Sequence, residues 1–242
     1  MIKINNVSKE YEKGGVKAVD SLTWEVEDGK ITGFIGPNGA GKSTTLKMIT
    51  GVIFPTQGSI TINGIDISAQ PIEAKRQFAF VSDTPDNFLK LKGIEYLNFV
   101  ADIYGVSSHD RKERITTLAE RFEMTNALNK TIADLSHGMR QKMMLMGALI
   151  HMPPVWILDE PLVGLDPNSA HILKEMMKEH AAKGNTVLFS THVLEVAEKL
   201  CDKIAIINKG KLVYSGTLEH LKEKYSGEDS LENIFLEVVK NV

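Results

Sequence analysis

At 242 residues, 43% of them hydrophobic and 24% charged, the chain suffices for one large or two small domains with a substantial buried core. A net charge of −3 excludes a strongly basic nucleic-acid binder, so no nucleic-acid partner is expected, and the single cysteine, Cys201, excludes an internal disulfide framework. The longest apolar stretch, residues 143–152, is interrupted by Gly147 and His151 and is too short to span a bilayer, while MIKINNVSKE lacks the apolar core of a signal peptide. The expectation is a soluble cytosolic protein.

In chain order, the first third alternates with a period of two. Residues 2–7 form the first expected strand; Leu22, Trp24 and Val26 share one face of another, and Ile60 and Ile62 one face of a third. Between the first two strands Tyr11 stands among charges and glycines, a candidate to stack on a purine. The apolar run at residues 31–35 leads directly into Gly36, Pro37, Asn38, Gly39, Ala40, Gly41, Lys42, Ser43 and Thr44, which fit the phosphate-loop template. Glycines let backbone N–H groups curl around phosphate oxygens, and the following helix adds the positive end of its dipole. Lys42 reaches the β- and γ-phosphates, and the Ser43 hydroxyl suits a Mg²⁺ ion.

From residue 90 to 150 the period becomes helical. Ile94, Leu97, Ala101 and Tyr104 form one stripe, closed by Gly105; Ile115, Leu118, Ala119 and Phe122 form a second, introduced by Ser107, Ser108 and Asp110. This block reads as a small helical subdomain inserted between strand-rich parts. Within LSHGMRQK, Ser136 is placed to cap a helix, and His137 and Gly138 open it; a hydroxyl plus free N–H groups there make an anion site.

The apolar run at 155–158 reads as a buried strand ending in Asp159, suited to the Mg²⁺ shell, and Glu160, suited to polarise an attacking water. A helix is expected over residues 168–183, then strands over 186–190, 203–208 and 211–215. The first of these leads to His192, placed to sense a γ-phosphate. Cys201 falls on the apolar face of segment 193–201 with Leu194, Ala197 and Leu200, as a small core side chain. Thr217 and Ser230 are expected to cap two short terminal helices. Alternating strands and helices predict an α/β fold with a parallel sheet.

In this order the motifs resemble those of the ATP-binding subunits of ATP-binding cassette (ABC) transporters, over nearly the whole chain. GPNGAGKST resembles the Walker A loop, VWILDE Walker B, LSHGM the family signature, Gly164-Leu165-Asp166 the D-loop, His192 the switch histidine, and Tyr11 the adenine-stacking aromatic. Two departures stand out. His137 and Met139 replace a glycine and a glutamine of the signature, and Asp83 stands where the family has a glutamine that touches the metal or its water.

The resemblance implies a P-loop NTPase core with a mainly parallel sheet flanked by helices, an N-terminal antiparallel β subdomain and an inserted α-helical subdomain. It implies an ABC ATPase domain over 1–225, with 1–83 and 151–216 as core and β subdomain, 84–150 as the signature-bearing helical subdomain, and 217–242 as a helical tail. It further implies ATP and Mg²⁺ as ligands and a head-to-tail homo- or heterodimer in which ATP lies between one Walker A loop and the partner's Ser136, His137 and Gly138. Separate transmembrane permease subunits would hold the chain on the cytoplasmic face of the membrane. The stretch LKGIEYLNFVADIYGV resembles exporter-type subunits for drugs, peptides or lipids. The alternative is a soluble ABC ATPase of translation or DNA maintenance, which would imply a second cassette or a coiled-coil insertion. A GTPase base reader fails at Lys211, a nucleotide kinase leaves LSHGM unexplained, and a binding-only regulator differs in ATP turnover.

Overall fold

The computed structural model describes residues 1–11, 15–84, 86, 88–225 and 230–240; residues 226–229, 241 and 242 of the expected tail lie outside them. Strand β1 (Ile2–Glu10) pairs antiparallel with β2 (Lys17–Val26) and runs three residues beyond its expected end. The reason is a bulge: Asn6 adopts φ 47°, and the register shifts between Ile4 and Val7. One extra residue returns Val7 to the face that buries Ile2 and Ile4, so pairing continues to Glu10.

Strand β3 (Ile31–Ile35), fully buried, is followed by α1 (Lys42–Ile49), then β4 (Gln57–Ile62), β5 (Ile65–Asp66), the short α2 (Pro71–Lys75) and β6 (Phe78–Val81). The first sheet has the order β2-β1-β4-β5. Its inner residues Ile2, Ile4, Trp24 and Ile60 share a core with Leu46 and Met48 of α1 and with Phe34. Trp24 stacks on Phe34 at 5.0 Å between ring centroids, and its indole N–H donates to Ser215 Oγ at 3.1 Å.

Helices α3 (Gly93–Ile103), α4 (Ser108–Arg121) and α5 (His137–Leu149) follow, with two short 3₁₀ turns at Thr125–Ala127 and Ile132–Asp134 before α5. The second expected stripe is buried throughout, whereas in the first Leu97 and Ala101 are buried and Ile94 and Tyr104 half-buried. Ser107 caps α4 by accepting the Asp110 N–H at 3.1 Å, as its hydroxyl predicts. The chain then forms β7 (Val155–Leu158), α6 (Pro167–Ala182), β8 (Thr186–Thr191), α7 (Leu194–Leu200), β9 (Lys203–Asn208), β10 (Lys211–Gly216), α8 (Leu218–Lys224) and α9 (Leu231–Lys240). Thr217 and Ser230 accept the N–H groups of His220 and Asn233, as caps of the last two.

The second sheet has the order β10-β9-β3-β8-β7-β6. All its pairings are parallel except that of the edge strand β10 with β9. β7 and β8 are buried along their whole length, as a sheet covered on both faces requires. The register brings Ile35 beside Thr191, Leu158 beside Phe189, and Val81 beside Leu158. Four strands therefore end along one edge, where open parallel sheets carry their sites. Cys201 caps the end of α7, its Sγ 2.6 Å from where a Cβ on Gly33 would lie, and burial pushes its thiol well above the usual range. No helix among the described residues is long and apolar enough to cross a membrane.

Helices α3 and α5 pack tightly where Gly147 faces Tyr96. A Cβ on Gly147 would lie 2.4 Å from the hydroxyl oxygen of Tyr96 and 2.5 Å from its ring, and that side chain is itself buried. Gly147→Ala should therefore destabilise by about 1–3 kcal/mol despite alanine's better helix propensity. A thermal melt should show a loss of about 2–4 °C per kcal/mol.

Candidate nucleotide site

The loop after β3 is shaped by contacts that leave no room for side chains. A Cβ on Gly36 would lie 2.4 Å from the Ile207 carbonyl oxygen, and one on Gly41, at φ 108°, 2.6 Å from that of Ala18. The Ala40 carbonyl accepts the Gly210 N–H at 2.9 Å, so the loop leans on the β9–β10 turn. Lys42, the first residue of α1, is 8% exposed; its ammonium donates to the Gly36 and Pro37 carbonyls at 2.6 and 3.2 Å. Burial lowers its pKa, and the charges of Glu160 and Asp159 oppose that shift.

Asp159 is 1% exposed at the end of β7. Its Oδ1 accepts the Ser190 hydroxyl at 2.5 Å, and the Ser43 hydroxyl lies near enough to favour its ionised form. Burial raises its pKa, the two hydroxyls lower it, and the neighbouring charges of Asp83 and Glu160 raise it again. Glu160 adopts φ 48°, a left-handed conformation that costs energy for a non-glycine residue and turns the chain sharply after the strand. Its N–H donates to Ser190 Oγ at 2.9 Å, and its Oε1 lies 3.0 Å from His192 Nδ1. Its Oε2 is buried without a hydrogen-bond partner. His192 follows Thr191, whose hydroxyl accepts the Val193 N–H at 3.0 Å.

Sequence reasoning did not single out Ser190, which holds the Asp159 carboxylate and the Glu160 backbone N–H from the neighbouring strand. Its signal was a polar residue inside the otherwise apolar Val187–Ser190 run, readable once β8 is known to lie beside β7. The pocket over the loop, about 260 Å³, takes its walls from Asn38, Gly39, Lys42, Ser43, Thr44, Asp83 and Glu160, and also from Ala18, likewise unforeseen. Tyr11 is 62% exposed at its margin, with its hydroxyl 3.4 Å from Thr44 Oγ1.

No described group of three or more His, Cys, Asp and Glu side chains could hold a metal alone. Mg²⁺ does not need one: it takes one or two carboxylates, with phosphate oxygens and water completing the shell. The neighbouring Ser43 hydroxyl and Asp159 carboxylate, the raised Asp159 pKa and the orphaned Glu160 oxygen fit such an ion.

The signature residues stand apart, and none lines this pocket. Ser136 caps α5, accepting the Met139 N–H at 3.3 Å. Its successor His137 lies against Gly164, and a Cβ on Gly138 would lie 2.6 Å from the Gly164 carbonyl oxygen. Asp166 caps α6.

The profile of the ABC transporter family matches residues 19–163. The ABC transporter ATP-binding protein NatA of Bacillus subtilis (strain 168) is 36% identical over 98% of this chain and 97% of its own length. The Nod factor export ATP-binding protein I of Rhizobium leguminosarum bv. viciae is 35% identical over 93% of this chain and 72% of its own. Among solved structures, an ATP-binding subunit of an ABC transporter superposes with a TM-score of 0.93 at 36% identity, covering 98% of this chain and 99% of that one. A dimeric post-hydrolysis ATP-binding cassette with ADP and Pi superposes at 0.81 and 25% identity, covering 90% and 99%.

Because the folded-state pKa of Asp159 lies above the ordinary 3.8, the folded state binds its proton more tightly than the unfolded chain. The resulting destabilisation is absent below pH 3.8, grows as pH rises towards the folded value, and is complete above it. Asp159→Asn should therefore raise the melting temperature of the nucleotide-free protein at pH 7 while abolishing its stabilisation by ATP with Mg²⁺. Differential scanning fluorimetry reads both.

Proposed function

Since the chain belongs to the ABC transporter family as an ATP-binding, ATP-hydrolysing subunit, we propose that it drives export through separate transmembrane permease subunits. It would work as a head-to-tail dimer, either of two copies or with a homologous subunit, on the cytoplasmic face of the membrane. The observation that carries the reading is the division of the site. Loop, carboxylates and His192 converge at one sheet edge, whereas Ser136 and Gly138 lie outside that pocket and suit the nucleotide of a partner. The similarity to a Nod factor export ATP-binding protein supports export, as does the resemblance of residues 91–106 to exporter-type subunits. The division into a core with β subdomain (1–83, 151–216), a helical subdomain (84–150) and a tail (217–242) belongs to the same proposal.

The residues act as follows. Backbone N–H groups of 36–44 cradle the phosphates, and Tyr11 stacks on the base. Lys42 exchanges the Gly36 and Pro37 carbonyls for β- and γ-phosphate oxygens. Ser43 and Asp159 would hold Mg²⁺, with Asp83 close enough to touch its water. The ion, when bound, neutralises charge on the transferred phosphoryl group. Glu160 accepts the proton of the attacking water as general base. Without nucleotide its Oε1 is engaged by His192; a γ-phosphate offers His192 another partner and frees the carboxylate.

Glu160→Gln should lower ATP turnover at least 10²-fold, in line with loss of a general base, while ATP binding persists and a dimer accumulates on size exclusion. Near-wild-type hydrolysis in that variant would overturn the assignment. Lys42→Ala should lose nucleotide affinity by calorimetry. Asp83→Gln, which restores the family residue, should change permease stimulation of turnover more than basal turnover; no change in either denies Asp83 this place.

A further inference from the structure

We propose that Lys142, on the second turn of α5, is a positioning residue for ATP hydrolysis: it pins Asp166 and so holds the segment carrying Glu160 against the helix carrying Ser136 and Gly138. This rests on the reading of α5 as the element that meets the partner's nucleotide.

An ammonium drawn into a helix packing surface needs a compensating charge. The Lys142 side chain is only 10% exposed, and its Nζ lies 2.9 Å from Asp166 Oδ2. Asp166 serves two ends at once. Its Oδ1 accepts the Ser169 N–H at 2.9 Å and its Oδ2 the Ser169 hydroxyl at 2.7 Å, which caps α6. Lys142 foremost, then Ser169, holds this carboxyl far below the usual range.

Little slack separates this joint from the chemistry. Between Glu160 and Asp166 the backbone makes two successive tight turns, Val163 N–H to Glu160 O at 3.1 Å and Leu165 N–H to Leu162 O at 3.4 Å. The same segment meets the start of α5 where Gly138 approaches the Gly164 carbonyl and His137 lies against Gly164. Displacement of the first turns of α5 is therefore passed to the segment that aims Glu160. On the other side of the helix turn, Arg140 donates to Asp86 at 2.8 Å and to the Leu135 and Ala133 carbonyls, tying α5 to the loop that contains Asp83. Helix α5 thus stands between that loop and the Glu160 segment, and Lys142 is its link to the latter.

A purely stabilising ion pair predicts a different outcome. The Asp166 side chain is 49% exposed, so solvent screens the pair, and Lys142→Met, which removes the buried charge and leaves only the exposed carboxylate, costs little stability. A misplacement of Glu160, in contrast, acts on turnover. Lys142→Met removes the charge and keeps the stem, Lys142→Arg keeps charge and reach, and Asp166→Asn keeps a competent cap. In steady-state ATPase assays, Lys142→Met and Asp166→Asn should each lower kcat by about one to two orders of magnitude. KM and ATP affinity should stay within about twofold. Lys142→Arg should restore most of the rate, and the double variant should be no slower than the slower single one. Wild-type kcat in Lys142→Met, failure of the arginine to rescue, or multiplying losses would each overturn the proposal. Wild-type turnover that Glu160→Gln abolishes tests the parent reading separately. Should the purified chain not turn over ATP, amide hydrogen exchange over residues 160–169 decides: it should quicken several-fold in Lys142→Met but not in Lys142→Arg, and unchanged exchange overturns the joint.

Discussion

Asp159 is a carboxylate taken almost wholly out of water, and the surroundings of the site are arranged around that cost. An ionised group in such a position needs hydrogen-bond donors and a nearby cation. The chain supplies Ser190 from the adjacent strand, Ser43 from the loop and the charge of Lys42, each already engaged before nucleotide arrives. Burial still wins, as the raised pKa shows. The fold thus maintains an unfavourable charge at the sheet edge that an incoming cation relieves, so part of the affinity for nucleotide with metal is stored in the empty protein.

The parallel register makes this possible. Since β3, β8, β7 and β6 end along a single edge, residues distant in sequence become neighbours without long loops. Ser190 can serve Asp159 and Glu160 at once because β8 lies between β3 and β7. The left-handed turn at Glu160 is tolerated because its N–H has that same hydroxyl as acceptor. Strain and compensation sit on adjacent strands.

What the sequence made legible follows from how local each signal is. The phosphate loop, the Ser136, Thr217 and Ser230 caps and the buried strand at 155–158 each depend on a few consecutive residues, and all formed where expected. Helix α6 begins one residue early because Pro167 fits the first helical position and Asp166 caps it. Strand β1 outran expectation because periodicity cannot foresee a bulge at Asn6, which shifts the face of every later side chain. The two-residue β5, the one-turn α2 and the 3₁₀ turns are too short for any period to register. At the site, Asp159, Glu160 and His192 were readable as strand-end residues. Ser190 and Lys142 were not, because their partners lie 31 and 24 residues away and only the tertiary fold pairs them.

The contact between Cys201 and Gly33 has a practical corollary. The chain's sole thiol is packed at the base of the strand that feeds the phosphate loop, and burial keeps it protonated. Only the thiolate reacts readily with maleimides or disulfides. A cysteine introduced at an exposed position such as Val52 would therefore be modified well ahead of the native one. Spin labels and cross-linkers can be placed on this chain without first removing Cys201, and a substitution there would disturb the packing under the nucleotide loop for no gain in selectivity.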